Sequence, residues 1–187
     1  MKSFPCLSLI ALIYMSVCPL SAAVTLVENG KARTAIYVDP AVMTPDATLP
    51  VDASFADKQT EKFRQRLRDS VEDLANTLQK ISQAQIPIHQ RPWEKSDKGL
   101  PILIGKYAAE RFGGPEKQTE YKQGWRVTVA KDGLRLQGET DESASYAIYE
   151  LLDRLGCRWY LPGELGESLP SLTTIEFPES DLSDVPD

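Results

Sequence analysis

Between Gly138 and Pro162 the sequence leaves the backbone little choice. Thr140 is an N-cap residue, and Asp141 and Glu142 follow where acidic side chains meet the positive end of a helix. Ala144, Ala147, Ile148, Leu151, Leu152 and Leu155 then recur at helical spacing and form one apolar stripe. Gly156 suits the left-handed position just past a helix. The run Cys157-Arg-Trp-Tyr-Leu161 reads as a strand, and Pro162-Gly163 breaks it. A strand end, a capped helix, a glycine stop and an aromatic strand thus follow one another without a gap.

The rest of the chain has the same grammar. Trp125-Arg-Val-Thr-Val-Ala130 and Leu134-Arg-Leu-Gln-Gly138 alternate strictly around an Asp-Gly turn. A two-residue Asp132-Gly133 turn pairs Lys131 with Leu134 and sets Val129 opposite Leu136. It also puts Trp125, Val127, Val129, Leu134 and Leu136 on one buried face, with Arg126, Thr128, Arg135 and Gln137 pointing away. Over residues 56–82, Phe63, Leu67, Val71, Leu74, Leu78 and Ile81 make a long helical stripe, introduced by a Ser54/Asp57 capping pair. The charges interleaved along that helix are the ordinary solvated face. Pro101-Ile-Leu-Ile104 is a continuous apolar run, as in a strand covered on both faces. Lys106 to Phe112 reads as a short helix, and Pro87 demotes 86–89 to an edge strand. Near the start, Asn29-Gly30 signals a hairpin between Val24–Val27 and Thr34–Val38. Leu172–Phe177 is a final β-type run, and residues 181–187 read as a polar tail.

Residues 1–23 have the pattern of an export signal: Lys2, the apolar stretch Leu7–Val17, and small residues up to Ala23, where cleavage is expected. The apolar stretch is shorter than the roughly 20 residues a membrane helix needs. Lipidation at Cys18 is disfavoured because Val17 stands where a small residue is required. A secreted or periplasmic protein with no membrane attachment after signal removal is therefore expected. What remains, roughly 160 residues, is enough for one domain with its own core. The net charge of −6 is spread along the chain, which argues against nucleic acid as a partner. Of three cysteines, Cys6 and Cys18 leave with the signal, so Cys157 has no internal disulfide partner. The single histidine, His89, makes neither a metal centre nor a Cys–His pair, and no cofactor is expected.

The order of elements, with strands joined through helices alternating with strands joined by tight turns, implies an α/β (α+β) domain: a mixed sheet with helices packed on it. Ile102-Leu-Ile-Gly105, Leu134-Arg-Leu-Gln-Gly138, Ser145–Gly156 with its Ala147, Tyr149, Leu151-Leu152 and Leu155-Gly156, Arg158-Trp-Tyr-Leu-Pro162 and Gly163–Pro170 together resemble the N-terminal, non-catalytic domain of secreted bacterial glycoside hydrolases of the β-hexosaminidase and α-glucuronidase type. The resemblance covers residues 24–180 and is most specific over 134–170. It implies a domain that packs against a (β/α)₈ barrel carrying the hydrolytic acid and base. Such a barrel needs about 200 residues or more, and residues up to Asp187 hold none of it. No catalytic residue is carried over. The expectation is an accessory domain of a glycoside hydrolase, with a carbohydrate-binding module acting alone as the alternative.

Five residues are singled out for contact with a glycan or with a neighbouring domain: Trp93, Trp159, Tyr160, Glu164 and Glu167. Flat aromatic rings stack on sugars, and Trp93 sits in a polar loop where no core explains it. Trp159 and Tyr160 alternate to opposite sides of their strand, so one is expected in the core and the other outward. Glu164 and Glu167 lie three apart, but a loop provides neither the facing geometry nor the cleft that glycoside hydrolysis requires. They are read as solvated acids or contacts to the barrel.

Overall fold

The computed structural model describes residues 23–45, 49–50 and 52–186; the proposed export signal up to residue 22 and Asp187 lie outside them. Asn29 and Gly30 both take positive φ, 51° and 70°, which is the turn that joins tightly twisted strands. It connects β1 (Ala23–Glu28) to a return strand of two residues, β2 (Lys31–Ala32). The run expected to complete this hairpin leaves it instead. As β3 (Thr34–Tyr37) it enters a second sheet, because all four of its residues are buried and need cover on both faces.

The second sheet has six strands. After β3 come α1 (Pro40–Met43), α2 (Phe55–Ser82), β4 (Ile88–His89), β5 (Leu100–Ile104) and α3 (Lys106–Phe112). They are followed by β6 (Trp125–Ala130), β7 (Gly133–Gly138) and α4 (Asp141–Arg154). Beyond α4 lie β8 (Arg158–Trp159), a 3₁₀ turn at Glu164–Gly166, β9 (Glu167–Ser168), β10 (Ile175–Pro178) and β11 (Ser180–Asp184). The spatial order is β11-β6-β7-β5-β3-β4. β4, β3, β5 and β7 run parallel, and β6 pairs antiparallel with both β7 and β11. A mixed α/β architecture with helices on the sheet is what the pattern of elements implies, with β4 at the edge as Pro87 demands. A smaller sheet, β10-β1-β2, closes one end of the core.

α2 and α4 lie side by side on one face of the large sheet. Leu67, Val71, Leu74 and Leu78 from α2 and Ile148, Leu151 and Leu152 from α4 are fully buried there. They meet Ile36, Ile102, Ile104, Val127, Leu134 and Leu136 from the strands. Both helices start as their sequences dictate. The Ser54 hydroxyl accepts from the Asp57 amide at 3.1 Å, and the Thr140 hydroxyl accepts from the Ser143 amide while Ser143 Oγ accepts from the Thr140 amide. On the opposite face a smaller cluster of Ala35, Tyr37 and Leu103 is covered by Ala108 of α3.

Three expectations need correction. The β6–β7 turn is centred on Lys131-Asp132, with Ala130 opposite Gly133 and Val127 opposite Leu136. Gly133, at φ 129°, opens the return strand because a Cβ there would collide with the Pro101 carbonyl of β5. The shift is by an even number of positions, so the buried face keeps the expected residues. Arg135 and Gln137 do point to the other face, yet they are buried beneath α3 and its flanking segment rather than solvated. Residues 181–184 are not part of a polar tail: with Ser180 they form β11, which pairs with β6 from Trp125 to Val129. Its sequence hides this, because Arg126 donating to Asp181 (2.7 and 2.5 Å) and the backbone ladder hold it rather than an apolar pattern.

Candidate functional site: an aromatic surface beyond α4

α4 ends as Gly156 predicts. Gly156, at φ 88°, donates to the Asp153 carbonyl at 2.8 Å, and Cys157 donates to Leu152 at 3.1 Å. This left-handed cap turns the chain away from the large sheet. Cys157 is buried at the turn, where burial pushes its thiol pKa up, but the residues after it leave the core. They form only a two-stranded hairpin, with Arg158 opposite Ser168 and Trp159 opposite Glu167.

The loop of that hairpin folds back on itself. Tyr160 N–H donates to Gly166 O at 2.9 Å, and Gly166 N–H to Gly163 O at 3.0 Å. Gly166 is packed against the Leu161 backbone so closely that no side chain fits there. With the interior filled by main chain, the side chains can only point out. Tyr160 is 74% exposed, Leu161 66% and Leu165 fully so. Trp159 is itself 40% exposed. The expectation that one of Trp159 and Tyr160 enters the core therefore fails. Alternation places a residue inside only if something covers that side of the strand, and among the described residues Trp159 is covered only in part, by Tyr149 of α4, and Tyr160 hardly at all.

Trp159 is nonetheless held. Tyr149, on the outer face of α4, meets it edge-on with ring centroids 6.0 Å apart and planes at 87°. The Tyr149 hydroxyl donates to Asp73 Oδ2 of α2 at 2.7 Å. Burial, and then the Asp73 carboxylate, push the Tyr149 pKa up to about 12. On the other side of the hairpin Lys80 of α2 donates to Glu167 at 2.8 Å. That bond, with the charges of Glu167, Glu164 and Asp73, raises the Lys80 pKa. Trp159 stands between two open grooves. One of about 800 Å³ has Trp125, Tyr146, Tyr149 and Arg158 in its walls, and the other, of about 620 Å³, has Asp73, Asn76, Gln79 and Lys80.

Four of the five residues singled out in the sequence, Trp159, Tyr160, Glu164 and Glu167, thus share one small hairpin. Trp93 is on the opposite face of the molecule. Its ring packs on the Tyr37–Leu103 cluster and lies under the Arg111 guanidinium, 4.9 Å from its centroid. Next to it, Arg91 covers the Tyr37 ring and pairs with Asp97 at 2.6 and 2.8 Å. Trp93 therefore belongs to the cover of the second sheet face. Tyr149, Asp73 and Lys80 were not among the residues singled out for contact. An aromatic residue off the apolar stripe of α4 was the available signal for Tyr149; nothing local marked the other two.

No protein-family model matches the chain, and no curated protein is significantly similar to it. Its fold does match part of a solved structure, a family GH115 4-O-methyl-α-glucuronidase with specificity for decorated arabinogalactans, at a TM-score of 0.56 and 17% identity. The match takes in 85% of this chain and only 18% of that enzyme. The chain has the fold of one segment of a much larger glycoside hydrolase.

Proposed function

We propose that the chain is an exported accessory domain of a glycoside hydrolase and that it docks on a (β/α)₈ catalytic barrel. The observation that carries this reading is the cluster of Tyr160, Leu161 and Leu165 on one tight loop, presented to solvent by a backbone with no room to turn them in. Contiguous apolar surface of this kind marks sites of macromolecular contact. The likeness to one segment of a glucuronidase supports a glycosidase barrel as what covers it. Hydrolysis itself belongs to that barrel.

The test is association between this chain and the barrel encoded with it, the two expressed as separate polypeptides and followed by sedimentation. A stable complex is expected. Leu165→Glu should weaken it at least tenfold while changing the stability of the free chain by less than about 0.5 kcal/mol, since the side chain touches no core. A genome with no barrel beside this gene, or a barrel that ignores the chain, overturns the proposal.

A further inference from the structure

The Trp159 ring and the polar groove beside it form a second feature of this surface, separate from the loop that carries Leu165. Trp159 borders both grooves, so open space flanks it on two sides. Its orientation is set before any ligand arrives, through the edge-on contact to Tyr149 and the anchor of Tyr149 on Asp73. An exposed apolar ring kept rigid in this way loses little freedom on binding, which favours affinity. The groove on the α2 side has the opposite chemistry. Asp73, Asn76 and Lys80 rise from successive turns of α2, and Glu167 faces them from the hairpin. Carboxylate, amide and ammonium groups thus lie along one line beside a single aromatic ring. Its volume, about 620 Å³, is in the range of small-molecule sites.

A pyranose ring has this same division. One face is a sheet of C–H bonds, which are attracted to the negative face of an aromatic ring. The rim carries hydroxyl groups that both donate and accept, as carboxylates, amides and ammonium groups require. The charges choose among sugars. Three carboxylates, Asp73, Glu164 and Glu167, surround one ammonium, Lys80, which is already bonded to Glu167. A uronate would bring a further anion into that field, whereas neutral hydroxyls can donate to the carboxylates. We infer that the Trp159 groove is a binding site for neutral, hydroxyl-rich saccharide chains, with the Trp159 ring as stacking platform and Asp73, Asn76 and Lys80 as hydrogen-bonding partners.

The purified chain alone suffices for the test. Calorimetric titration with neutral hexasaccharides of glucose, xylose, galactose and N-acetylglucosamine should give at least one dissociation constant in the millimolar range or tighter. Hexagalacturonate should bind at least tenfold more weakly. Trp159→Ala should weaken binding tenfold or more, and Tyr149→Phe, which keeps the ring but frees it from Asp73, by a smaller factor. Trp159→Phe, retaining a ring of smaller area, gives an intermediate loss and shows that a defect of the alanine variant is not one of folding. Wild-type protein that binds none of the neutral chains overturns the inference, as does binding that survives Trp159→Ala, or uronate bound as well as neutral sugar. Leu165→Glu should leave saccharide binding unchanged, so this inference and barrel docking can fail separately.

Discussion

Tyr149 joins three parts of the molecule through one side chain. Its ring braces Trp159, its backbone belongs to α4, and its hydroxyl reaches Asp73 on α2. Burial raises its pKa first and the bond to an anion adds to that, so the neutral phenol is favoured in the folded protein. The sign follows directly. Folded and unfolded chains both hold this proton below pH 10; between 10 and about 12 only the folded chain holds it, so the contribution to stability is lost as pH rises through that window. Absorbance at 295 nm should show one tyrosine titrating near 12, missing in Tyr149→Phe. A titration in which every tyrosine ionises near 10 contradicts this environment. Sequence periodicity passed over Tyr149 because it lies off the apolar stripe, and its partner is 76 residues away.

At the scale of elements, the α4 unit is legible in the sequence from cap to stop. Thr140, the stripe through Leu152 and Gly156 all do what their positions imply. Leu151 and Leu152 are both fully buried between α2 and the sheet. Leu151→Ala or Leu152→Ala should therefore cost about 2–5 kcal/mol, measured by urea denaturation. A cost under about 0.5 kcal/mol at both positions means that α4 does not pack as described. The strand after α4 was less legible. Alternating residues tell which side chains oppose each other, but not whether either side has a neighbour, and here the short β8–β9 hairpin has none within the described chain for Tyr160.

For the molecule as a whole, the large sheet is completed by β11, a strand without an apolar signature. Asp181, the second residue of that strand, ties it to β6, with Arg126 Nε and Nη2 and the Thr128 hydroxyl donating to it. The Arg126 hydrogen bonds hold the Asp181 carboxyl below its usual range. A depressed carboxylate stabilises the fold above its ordinary value of 3.8 and loses that contribution as pH falls through the depressed one. Amide exchange in β11 should accelerate relative to β7 as the solution is acidified below 4, and Asp181→Asn should already show the faster exchange at neutral pH. Equal protection of β11 and β7 in the variant argues against this attachment. What the sequence determined by itself was local: where helices start and stop, which face of each is apolar, and the parity of the β6–β7 hairpin. Those features arise from interactions a few residues apart, and they leave a periodic trace. Tertiary structure alone decided that β3 deserts its hairpin for the large sheet, that β11 closes that sheet, and that Trp159 stands between two grooves while Trp93 packs on the opposite face of the sheet. Each of these depends on which distant surface comes to lie against the residue, and no pattern within a short stretch of chain records that.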